Sequence, residues 1–361
     1  MKSTFILAAI FGLGAIYYLT SWHIPGRIDQ SHIAGCPAGY DETGERVRIA
    51  FYNTENFFDT VDDSTSGDEE FLPDGVMHWT YNRYKAKLEK TCKVIIAIGE
   101  WKPPDIIGLG EIENSHVLHD LIYNTPLLKY EYRYIHKNSP DNRGIDVALL
   151  YNPATIRLLE NIFIPVRFFQ QAEKNTRDIL HCKVSVGQGE TLHIFVNHWP
   201  SRSGGLLETE PFRLYTARIL RMKIDSIFLV DAHQKIIIMG DFNDGPYDKS
   251  LILGLQAQPV TDSPLPGILY NLSAGYEKRN PVGSHKFQGQ WNMLDQVIVS
   301  GELLTAKKSL KTSPGCFSVF AAPYLLTEDI NYSGTEPFRT YKGPFYAGGF
   351  SDHLPVMIDL Y

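Results

Sequence analysis

The sequence predicts an α+β fold, a four-layer sandwich in which two mostly antiparallel β-sheets pack face to face and helices cover their outer faces. The first observation behind this prediction is a series of apolar runs of strand length. The second is that short connections with turn residues join most of these runs, which favours antiparallel neighbours. The third is a helical periodicity between some of the runs. No repeat or linker divides the chain, so we expect one domain over residues 46–361.

The individual elements follow from these patterns. Helices are predicted over Tyr81–Trp101 and Pro211–Val230, where apolar residues recur at three- and four-residue spacing. The segment Val186–Thr191, with the letters VGQGET, predicts a β-hairpin turn. Residues 311–350, rich in Pro, Gly and Tyr, predict a long irregular connection near a site. The predicted strands are Val47–Tyr52, Asp105–Leu109, Tyr132–Ile135, Asp146–Tyr151, Ile179–Val186, Thr191–Val196, Lys235–Met239, Leu294–Val299 and Leu354–Leu360.

The amino-terminal segment differs from the rest of the chain. Lys2 precedes an uncharged apolar run over residues 5–19, which is shorter than the roughly 20 residues that a transmembrane helix needs. This pattern favours a secretory signal peptide within residues 1–30 over a permanent membrane anchor, and a leader follows over residues 31–45. We therefore expect export across the inner membrane and a periplasmic, secreted or membrane-anchored protein. An uncleaved segment would contact the membrane.

The four cysteines are far apart and contain no C-x-x-C pair, so they predict no zinc site. Cys36 follows the letters IAG, which resembles the site before a lipid-modified cysteine. A polar stretch separates it from the apolar run, however, so an ordinary leader residue is the favoured interpretation. Cys92 and Cys182 lie in apolar patterns typical of a core. Such sparse use of cysteine indicates a fold that does not depend on disulfide bonds.

The formal net charge of the chain is −7. Proteins that coat nucleic acid through their overall field are usually basic, so a polyanionic substrate would be held here by local cations or bound metal. The segment Asp59–Glu70 carries six acidic residues among its twelve and is typical of a solvated loop. A calcium site is the alternative, although the segment lacks the Gly and terminal Glu spacing of an EF-hand.

Polar side chains follow several predicted strands, and buried strands that end in polar groups place those groups at one rim of a sheet. Asp241 and Asn243 end the run IIIMGDFND and lie on the same side of an extended chain. A carboxylate and an amide so placed can orient a water and hold a phosphoryl oxygen. Asp352 and His353 precede the last predicted strand, and a His beside acidic groups is typical of a general base. The alternative for Asp241 and Asn243 is an ordinary turn. The alternative for Asp352 and His353 is a capped turn with a surface histidine.

Further polar groups lie at the ends of other runs. Asn53 and Glu111 end the first and second runs, and hard oxygen donors of this kind suit Mg²⁺ or Mn²⁺. His198, in the letters FVNHWPSR, can donate to a phosphate oxygen. Arg202, four residues later, can bind the phosphate by two parallel hydrogen bonds. Asp295 opens the run DQVIVS. Taken singly, residues of these kinds often have capping, turn or structural roles.

Taken together and in this order, the clusters LGEIEN, GDFND and SDHLPV resemble those of the endonuclease/exonuclease/phosphatase superfamily. That superfamily includes pancreatic-type deoxyribonuclease, exonuclease III-like abasic-site endonucleases, inositol polyphosphate 5-phosphatases and neutral sphingomyelinases. The resemblance runs from about Val47 to Tyr361, and residues 284–300 resemble a segment of secreted bacterial nucleases in the superfamily. It implies the same sandwich fold and the hydrolysis of phosphoric esters with Mg²⁺ as cofactor, Mn²⁺ being possible.

The resemblance also implies roles for the cluster residues. His353, oriented by Asp295, is implied to activate water for in-line attack on phosphorus. Gly110 replaces the Gln that precedes the metal-binding Glu in the family, which leaves the carboxylate of Glu111 in place. The implied catalytic residues are His198, Asp241, Asn243, Asp295 and His353, and the implied metal ligands are Asn53, Glu111 and Asp352.

The substrate is less constrained than the chemistry. The favoured interpretation is a nuclease that cleaves DNA or RNA, with Arg143 and Arg202 as candidate phosphate contacts and Trp199 as a candidate for base stacking at the rim. One alternative is a phosphatase or phospholipase C-like enzyme acting on inositol phosphates or sphingomyelin. The other is a catalytically inactive surface-binding module on the same fold. We expect a monomer with nucleic acid as its substrate and no protein partner.

Overall fold

The computed structural model describes residues 36, 46–63, 67–100, 102–168, 175–187, 189–307 and 309–361. The predicted signal or anchor segment, and the leader apart from Cys36, lie outside these residues. Within the described part of the chain, none of the helices combines the length and apolar character that a membrane span requires.

Strands make up most of the regular structure. In chain order they are β1 (Val47–Phe57), β2 (Ile106–Ile112), β3 (Arg133–His136), β4 (Asp146–Tyr151), β5 (Ile156–Ile164), β6 (Ile179–Val186), β7 (Glu190–His198), β8 (Ile236–Asp241), β9 (Ala257–Pro259), β10 (Leu269–Asn271), β11 (His285–Phe287), β12 (Gln290–Asn292), β13 (Asp295–Ser300), β14 (Phe317–Val319), β15 (Leu326–Glu328), β16 (Thr335–Pro337), β17 (Tyr341–Lys342), β18 (Phe345–Tyr346) and β19 (Val356–Leu360).

These strands form two large sheets and three short ribbons. The first sheet has the order β14-β19-β1-β2-β4-β3 and the second the order β5-β6-β7-β8-β13-β10-β9. The pairs β1–β2, β7–β8 and β10–β9 are parallel. The other neighbours in the two sheets are antiparallel. The prediction of two mostly antiparallel sheets is therefore confirmed.

The two sheets pack against each other across one apolar core, built from the inward side chains of strands that were predicted as buried runs. Gly108 of β2 marks a close approach between the sheets. A Cβ at this position would lie 2.9 Å from Cε of Met239 and 3.1 Å from Cγ1 of Val196, both on the second sheet. Glycine therefore lets the strands that carry the site residues come close together.

Helices complete the layers. They are α1 (Tyr81–Ile98), α2 (Ser115–Tyr123), α3 (Leu206–Val230) and α4 (Glu302–Thr305), with 3₁₀ turns over Glu69–Phe71, Pro126–Tyr130, Pro314–Cys316 and Pro323–Leu325 and a π-helix over Ser250–Leu255. α1 packs against the first sheet, with buried side chains such as Cys92 and Ile95. α3 packs against the second sheet, where Leu220 and Ile224 meet Phe195. The predicted helical layers are present.

The structure corrects several predicted boundaries. α1 ends at Ile98 rather than Trp101 because the chain turns at Gly99. α3 begins at Leu206, so Pro211 lies inside the helix rather than at its start. Several elements were not predicted, namely β5, β9–β12, β14–β18, α2 and α4. Because β14–β18 lie within residues 311–350, the prediction of an irregular connection there is wrong in part. β5 pairs only with β6 at the edge of its sheet, and only Ile156 is buried although six of its nine residues are apolar. α2 is amphipathic but only nine residues long.

Cys36 forms a disulfide bond with Cys316, while Cys92 and Cys182 are free and buried. The interpretation of Cys36 as an ordinary leader residue is therefore wrong, and a cysteine in a disulfide is not available for lipid attachment. The bond joins residues 280 positions apart. Sequence spacing could not show this pairing, because the partners meet only in the folded chain.

The acidic segment is less solvated than predicted. Asp59 and Asp68 are buried. Asp59 accepts hydrogen bonds from the backbone N–H of Val61 and from the amide of Asn114. Asp68 accepts one from the N–H of Asp63. These two carboxylates hold the loop together, so the prediction of a solvated loop is wrong for them.

Candidate active site

Strands of both sheets carry the predicted site residues to one rim of the sandwich. In the first sheet, the parallel register places Asn53 of β1 beside the segment of β2 that holds Glu111. In the second sheet, Asp241 of β8 lies in register with His198 of β7 and with Asp295 of β13. All of these residues except Glu111 are buried. The two sheets thus bring residues far apart in the chain to the same end of the fold.

Four of these side chains form a connected polar cluster. The amide Nδ2 of Asn53 donates to Oδ2 of Asp241 at 3.1 Å and lies 3.5 Å from Oε1 of Glu111. Nε2 of His198 lies 3.6 Å from Oδ2 of Asp241 and 3.8 Å from Oε1 of Glu111. The carboxylates of Glu111 and Asp241 therefore face one small region, with Asn53 and His198 between them.

His353 completes the cluster from the last loop of the chain. Its Nδ1 lies 2.6 Å from Oδ2 of the fully buried Asp295, and its Nε2 lies 3.8 Å from Oδ2 of Asp241. Burial lowers the pKa of His353, but the carboxylates of Asp295 and Asp241 outweigh it and raise the pKa well above its usual value. Asp295 fixes the orientation of the ring and leaves Nε2 toward the cluster.

Burial acts on the carboxyl of Asp241 in the opposite direction, because it favours the neutral form and so raises the pKa. Burial and the neighbouring Asp295 raise the pKa of its carboxyl to about 6, against the lowering effects of His353, of the backbone N–H of Asn243 and of Asn53. The pKa of His198 is instead well below its usual value because of burial and the nearby Arg177 and Arg143. His198 is therefore neutral at physiological pH, whereas the raised pKa of His353 keeps that ring protonated in the metal-free protein.

The backbone at the rim is held in unusual conformations. Glu111 and Asn243 occupy the left-handed region with φ of 61° and 51°, which costs of order 1–3 kcal/mol each for non-glycine residues. Side-chain bonds hold both turns: Asp241 accepts the N–H of Asn243 at 2.8 Å, and Glu111 accepts the N–H of Asn56 at 2.7 Å. Backbone strain of this kind clusters at functional sites.

Asp352 approaches the same rim beside His353. Its Oδ1 lies 4.0 Å from Nε2 of His353, and its Oδ2 accepts a hydrogen bond from Arg339 at 2.9 Å. Burial raises the pKa of Asp352, but His353 and Arg339 together hold it below its usual value. Ser351 anchors the loop, because its hydroxyl donates to the backbone carbonyl of Asn53 and accepts the N–H of His353.

A buried network beneath this loop was not predicted as part of the site. Glu55 accepts the backbone N–H groups of Thr340 and Tyr341. The ammonium of Lys87 donates to the hydroxyl of Thr340 at 2.6 Å and to the carbonyl of Phe350 at 2.7 Å. Burial and Asp352 raise the pKa of Glu55 to about 7, and burial lowers the pKa of Lys87 to about 8. Only the position of Glu55, two residues after Asn53, hinted at this role.

The two arginines predicted to contact phosphate differ in their exposure and in their hydrogen bonds. The side chain of Arg143 is 47% exposed, with Nε 3.8 Å from Asp141. Arg202 instead donates from Nε to the carbonyl of Asn243 at 2.7 Å and from Nη2 to Asp248 at 3.2 Å. Arg202 therefore supports the Asn243 turn. Trp199 is fully buried, so the expectation that it stacks bases at the rim is wrong.

The residues present fit a divalent cation of the magnesium class. The carboxylates of Glu111 and Asp241 both lie within 4 Å of His198 Nε2. Among the described residues, no Lys or Arg forms a hydrogen bond or ion pair with either carboxylate. Two converging carboxylates whose nearest basic groups are the imidazoles of His198 and His353 favour a bound cation. The carboxylate oxygens of Glu111 and Asp241 are donors that Mg²⁺ prefers. Asn53 presents its amide nitrogen Nδ2 to both carboxylates while its Oδ1 accepts the backbone N–H of Glu55, so Oδ1 would face a cation only after the amide turns over.

The model of the endonuclease/exonuclease/phosphatase family matches residues 48–361. The fold is similar to that of D. rerio TDP2 complexed with single-strand DNA product, with a TM-score of 0.54, 12% identity, and coverage of 88% of this chain and 100% of that one. It is also similar to a Bacteroides thetaiotaomicron mannosyl-6-phosphatase, with a TM-score of 0.53, 15% identity and coverage of 87% and 99%. The human nocturnin catalytic domain gives a TM-score of 0.50, 18% identity and coverage of 88% and 94%. No curated protein matches the chain.

Proposed function

The chain belongs to the endonuclease/exonuclease/phosphatase family, and we propose that it is a divalent-metal-dependent phosphodiesterase that acts as a nuclease on DNA or RNA. The observation that carries this proposal is the meeting of His353, Asp295 and Asp241 with Glu111 and His198 at one rim. Water activation and phosphate binding require such groups in one place.

His353 acts as the general base in this proposal. Its Nδ1–H donates to Asp295. The raised pKa keeps the ring protonated in the metal-free protein, and a bound cation close by would lower that pKa. The neutral ring then has a lone pair on Nε2 that takes the proton of an attacking water. Asp241 lies 3.8 Å from that nitrogen and helps to hold the water in line with the phosphorus. Arg202 supports the turn at Asn243, whose amide Nδ2 donates to the carbonyl of Trp199 at 3.0 Å and has a second N–H for a phosphoryl oxygen.

The metal is proposed to bind Asn53, Glu111 and Asp352, as Mg²⁺ or, as the second choice, Mn²⁺. When bound, it neutralises charge on the phosphoryl oxygens and orients them. His198 is buried and neutral, so its ring donates a hydrogen bond to a phosphate oxygen without adding charge. Arg143 is the exposed cation available to a substrate phosphate beyond the reacting one.

Nucleic acid is the proposed substrate class because D. rerio TDP2, a neighbour in fold, has been crystallised with single-strand DNA product. A phosphomonoesterase is the second candidate, favoured by the mannosyl-6-phosphatase among the similar structures. Inositol phosphates and sphingomyelin are further substrates to test. An inactive binding module is the non-enzymatic alternative. All of these substrates contain a phosphoric ester, and the reaction at this site takes place at its phosphorus.

We further propose that the chain is exported and acts as a monomer without a protein partner. The apolar run over residues 5–19 supports export. The disulfide between Cys36 and Cys316 supports it independently, because such bonds persist in oxidising compartments. Retention of the amino-terminal segment would place the enzyme at the membrane.

A panel of substrates, each with Mg²⁺ and with excess EDTA, tests the proposal. It comprises single-stranded and duplex DNA, an RNA oligomer, bis(p-nitrophenyl) phosphate, a sugar phosphate monoester and sphingomyelin. Metal-dependent cleavage of DNA or RNA is expected. Phosphate release from the monoester alone would favour the phosphatase, and no metal-dependent turnover of any compound would favour the binding module. His116→Gln is the matched control, since this histidine is 60% exposed.

A further inference from the structure

A second histidine lies against His353 and has no role in the proposed hydrolysis. His285, at the start of β11, forms an isolated antiparallel backbone bridge with His353. The two imidazole rings are 4.7 Å apart between centroids, with planes tilted by 40°. One ligand atom each of His285, Asp352 and His353 lie within 4.8 Å of one another. The motif SHKFQGQW thus delivers an extra imidazole to the rim.

The surroundings of these side chains resemble those of metal ligands. Nδ1 of His285 is buried and has no hydrogen-bond partner among the described residues. Nδ1 of His353 lies 2.6 Å from the Asp295 carboxylate. A ligating histidine usually donates its other ring N–H to such a carboxylate, which orients the ring and strengthens the ligand. Asp295 therefore supports either role of His353.

We propose that His285, Asp352 and His353 form a second cation site, which shares Asp352 with the proposed Mg²⁺ site and prefers Zn²⁺ to Mg²⁺, and that occupation of this second site inhibits the hydrolase. The inhibition rests on the proposed function, since it assumes that His353 is the base. The metal site itself rests only on the three side chains.

The donor set explains the preference for zinc. Two imidazole nitrogens and one carboxylate oxygen match sites for Zn²⁺, with an open position for water. Mg²⁺ prefers oxygen donors and binds imidazole poorly. Ligand atoms around a tetrahedral Zn²⁺ are roughly 3.4 Å apart. The present spacing, within 4.8 Å, therefore needs only small side-chain rotations to close.

Charge and shared atoms explain the inhibition. Nε2 of His353 has one lone pair, which cannot bind a metal and accept a proton from water at the same time. Asp352 is also a proposed ligand of the Mg²⁺ site, so zinc competes for it. Arg339 already engages Oδ2 of Asp352, which leaves Oδ1, on the side of His353, for the cation.

Calorimetric titration of Zn²⁺ alone into metal-free protein tests the site. We expect His285→Gln to weaken one Zn²⁺ binding event by at least about tenfold, because one of three ligands is lost. His116→Gln, at an exposed position, should leave the titration unchanged. Equal Zn²⁺ affinity in the wild type and in His285→Gln would overturn the proposal.

A spectroscopic measurement on the wild type guards against a variant that fails to fold. Co²⁺ bound by imidazole nitrogen in a four-coordinate site absorbs strongly in the visible range, whereas Co²⁺ bound by oxygen donors alone absorbs weakly. We expect the strong spectrum, and Zn²⁺ but not Mg²⁺ should abolish it. A weak spectrum throughout the titration would contradict nitrogen ligation.

Inhibition is measured separately, as hydrolysis of bis(p-nitrophenyl) phosphate in Mg²⁺ with added Zn²⁺. The concentration that halves the rate should be at least about tenfold higher for His285→Gln than for the wild type, in step with the lost affinity. Equal inhibition of both would overturn the inhibitory role. Zn²⁺ binding that depends on His285 in a protein without hydrolytic activity would support the cation site and overturn the proposed function instead.

Discussion

Two buried histidines in this molecule differ in their neighbours and therefore in their chemistry. His353, at the rim, faces the carboxylates of Asp295 and Asp241, which raise its pKa well above the usual value despite burial. His181, on β6, stacks on Phe195 with ring centroids 4.3 Å apart. Burial and the neighbouring His193 lower the pKa of His181 to about 3. Burial alone thus does not decide the charge of a histidine; its partners do.

The two histidines also differ in whether their ring nitrogens have hydrogen-bond partners within the protein. The His181–His193 pair is a closed chain: Nε2 of His181 lies 2.9 Å from Nδ1 of His193, whose Nε2 lies 3.2 Å from Oε1 of Gln234. Each of these nitrogens has a partner within the protein. His353 has a partner on Nδ1 only, and its Nε2 lies 3.8 Å or more from the carboxylates of Asp241 and Asp352. A base needs a nitrogen that is free in this way.

Changing the partner of His353 should have the largest effect. Asp295→Asn removes the carboxylate that orients the ring, and we expect a loss of about 10²–10⁴ in kcat, the range typical of lost general base catalysis. Steady-state hydrolysis of bis(p-nitrophenyl) phosphate in Mg²⁺ measures it. Asp225→Asn, at a side chain 53% exposed on α3, is the control. Activity of Asp295→Asn within twofold of the wild type would remove Asp295 from the mechanism.

The pH dependence of stability should distinguish the two histidines by sign. The lowered pKa of His181 means that its contribution is present above the unfolded value of 6.5 and is lost as pH falls toward about 3. Between pH 6 and pH 4 the loss is about 1.4 kcal/mol per pH unit. The raised pKa of His353 has the opposite sign: its contribution is present below 6.5 and is lost as pH rises through the folded value.

Denaturant unfolding of metal-free protein across this pH range tests that statement. His181→Gln should flatten the acid side of the stability profile, and His353→Asn should change only the alkaline side. His119→Gln, at a position 56% exposed, serves as the control. A wild-type slope below pH 6 in His181→Gln would mean that the lowered pKa of His181 does not cause the loss of stability in acid.

Loss of the hydrogen bond that supports the Asn243 turn should lower kcat less than loss of the carboxylate that orients His353. Arg202→Met removes the hydrogen bond from Nε to the Asn243 carbonyl, which loosens the turn that holds Asn243. We expect kcat to fall about tenfold, or about 1.4 kcal/mol in activation free energy. Arg143→Met should instead raise KM. An Arg202→Met enzyme with a changed KM and an unchanged kcat would make Arg202 a substrate contact, as the sequence first suggested.

The smallest effect is expected at the closed pair. Gln234→Leu removes the partner of His193 Nε2, and an unsatisfied buried nitrogen costs about 1–2 kcal/mol of unfolding free energy. Thermal and denaturant unfolding at neutral pH measure this loss. The rate of hydrolysis should stay at the wild-type level, because Gln234 is far in the sheet from the rim. A large loss of activity would mean that the pair is coupled to the site.

Much of the fold was predictable because buried strands have a strong sequence signal. The apolar runs ending at Asn53, Glu111 and Asp241 predicted both the strands and the polar rim, and the structure brings their ends together. The edge strand β5 is also rich in apolar residues, but only Ile156 in it is buried, and it was not predicted. Neither was the bond between Cys36 and Cys316, which depends on the folded chain.

The candidate site was less completely predictable because loops supply part of it. Arg339 and Lys87 act through the long connection before Asp352, and no local pattern relates them to it. Trp199 shows the reverse error. An aromatic residue after a polar cluster suggested a stacking surface, but its ring packs edge-on against Phe242 with centroids 4.7 Å apart. Composition cannot tell which way such a ring turns at a strand end.

The most direct test of the account compares the wild type and His353→Asn in one assay, Mg²⁺-dependent hydrolysis of bis(p-nitrophenyl) phosphate. We expect hydrolysis by the wild type that EDTA abolishes, and a rate at least about 100-fold lower for His353→Asn with the fold retained. Equal rates for the two proteins, or a wild-type rate that EDTA does not change, would contradict the claim that these residues form one metal-dependent site.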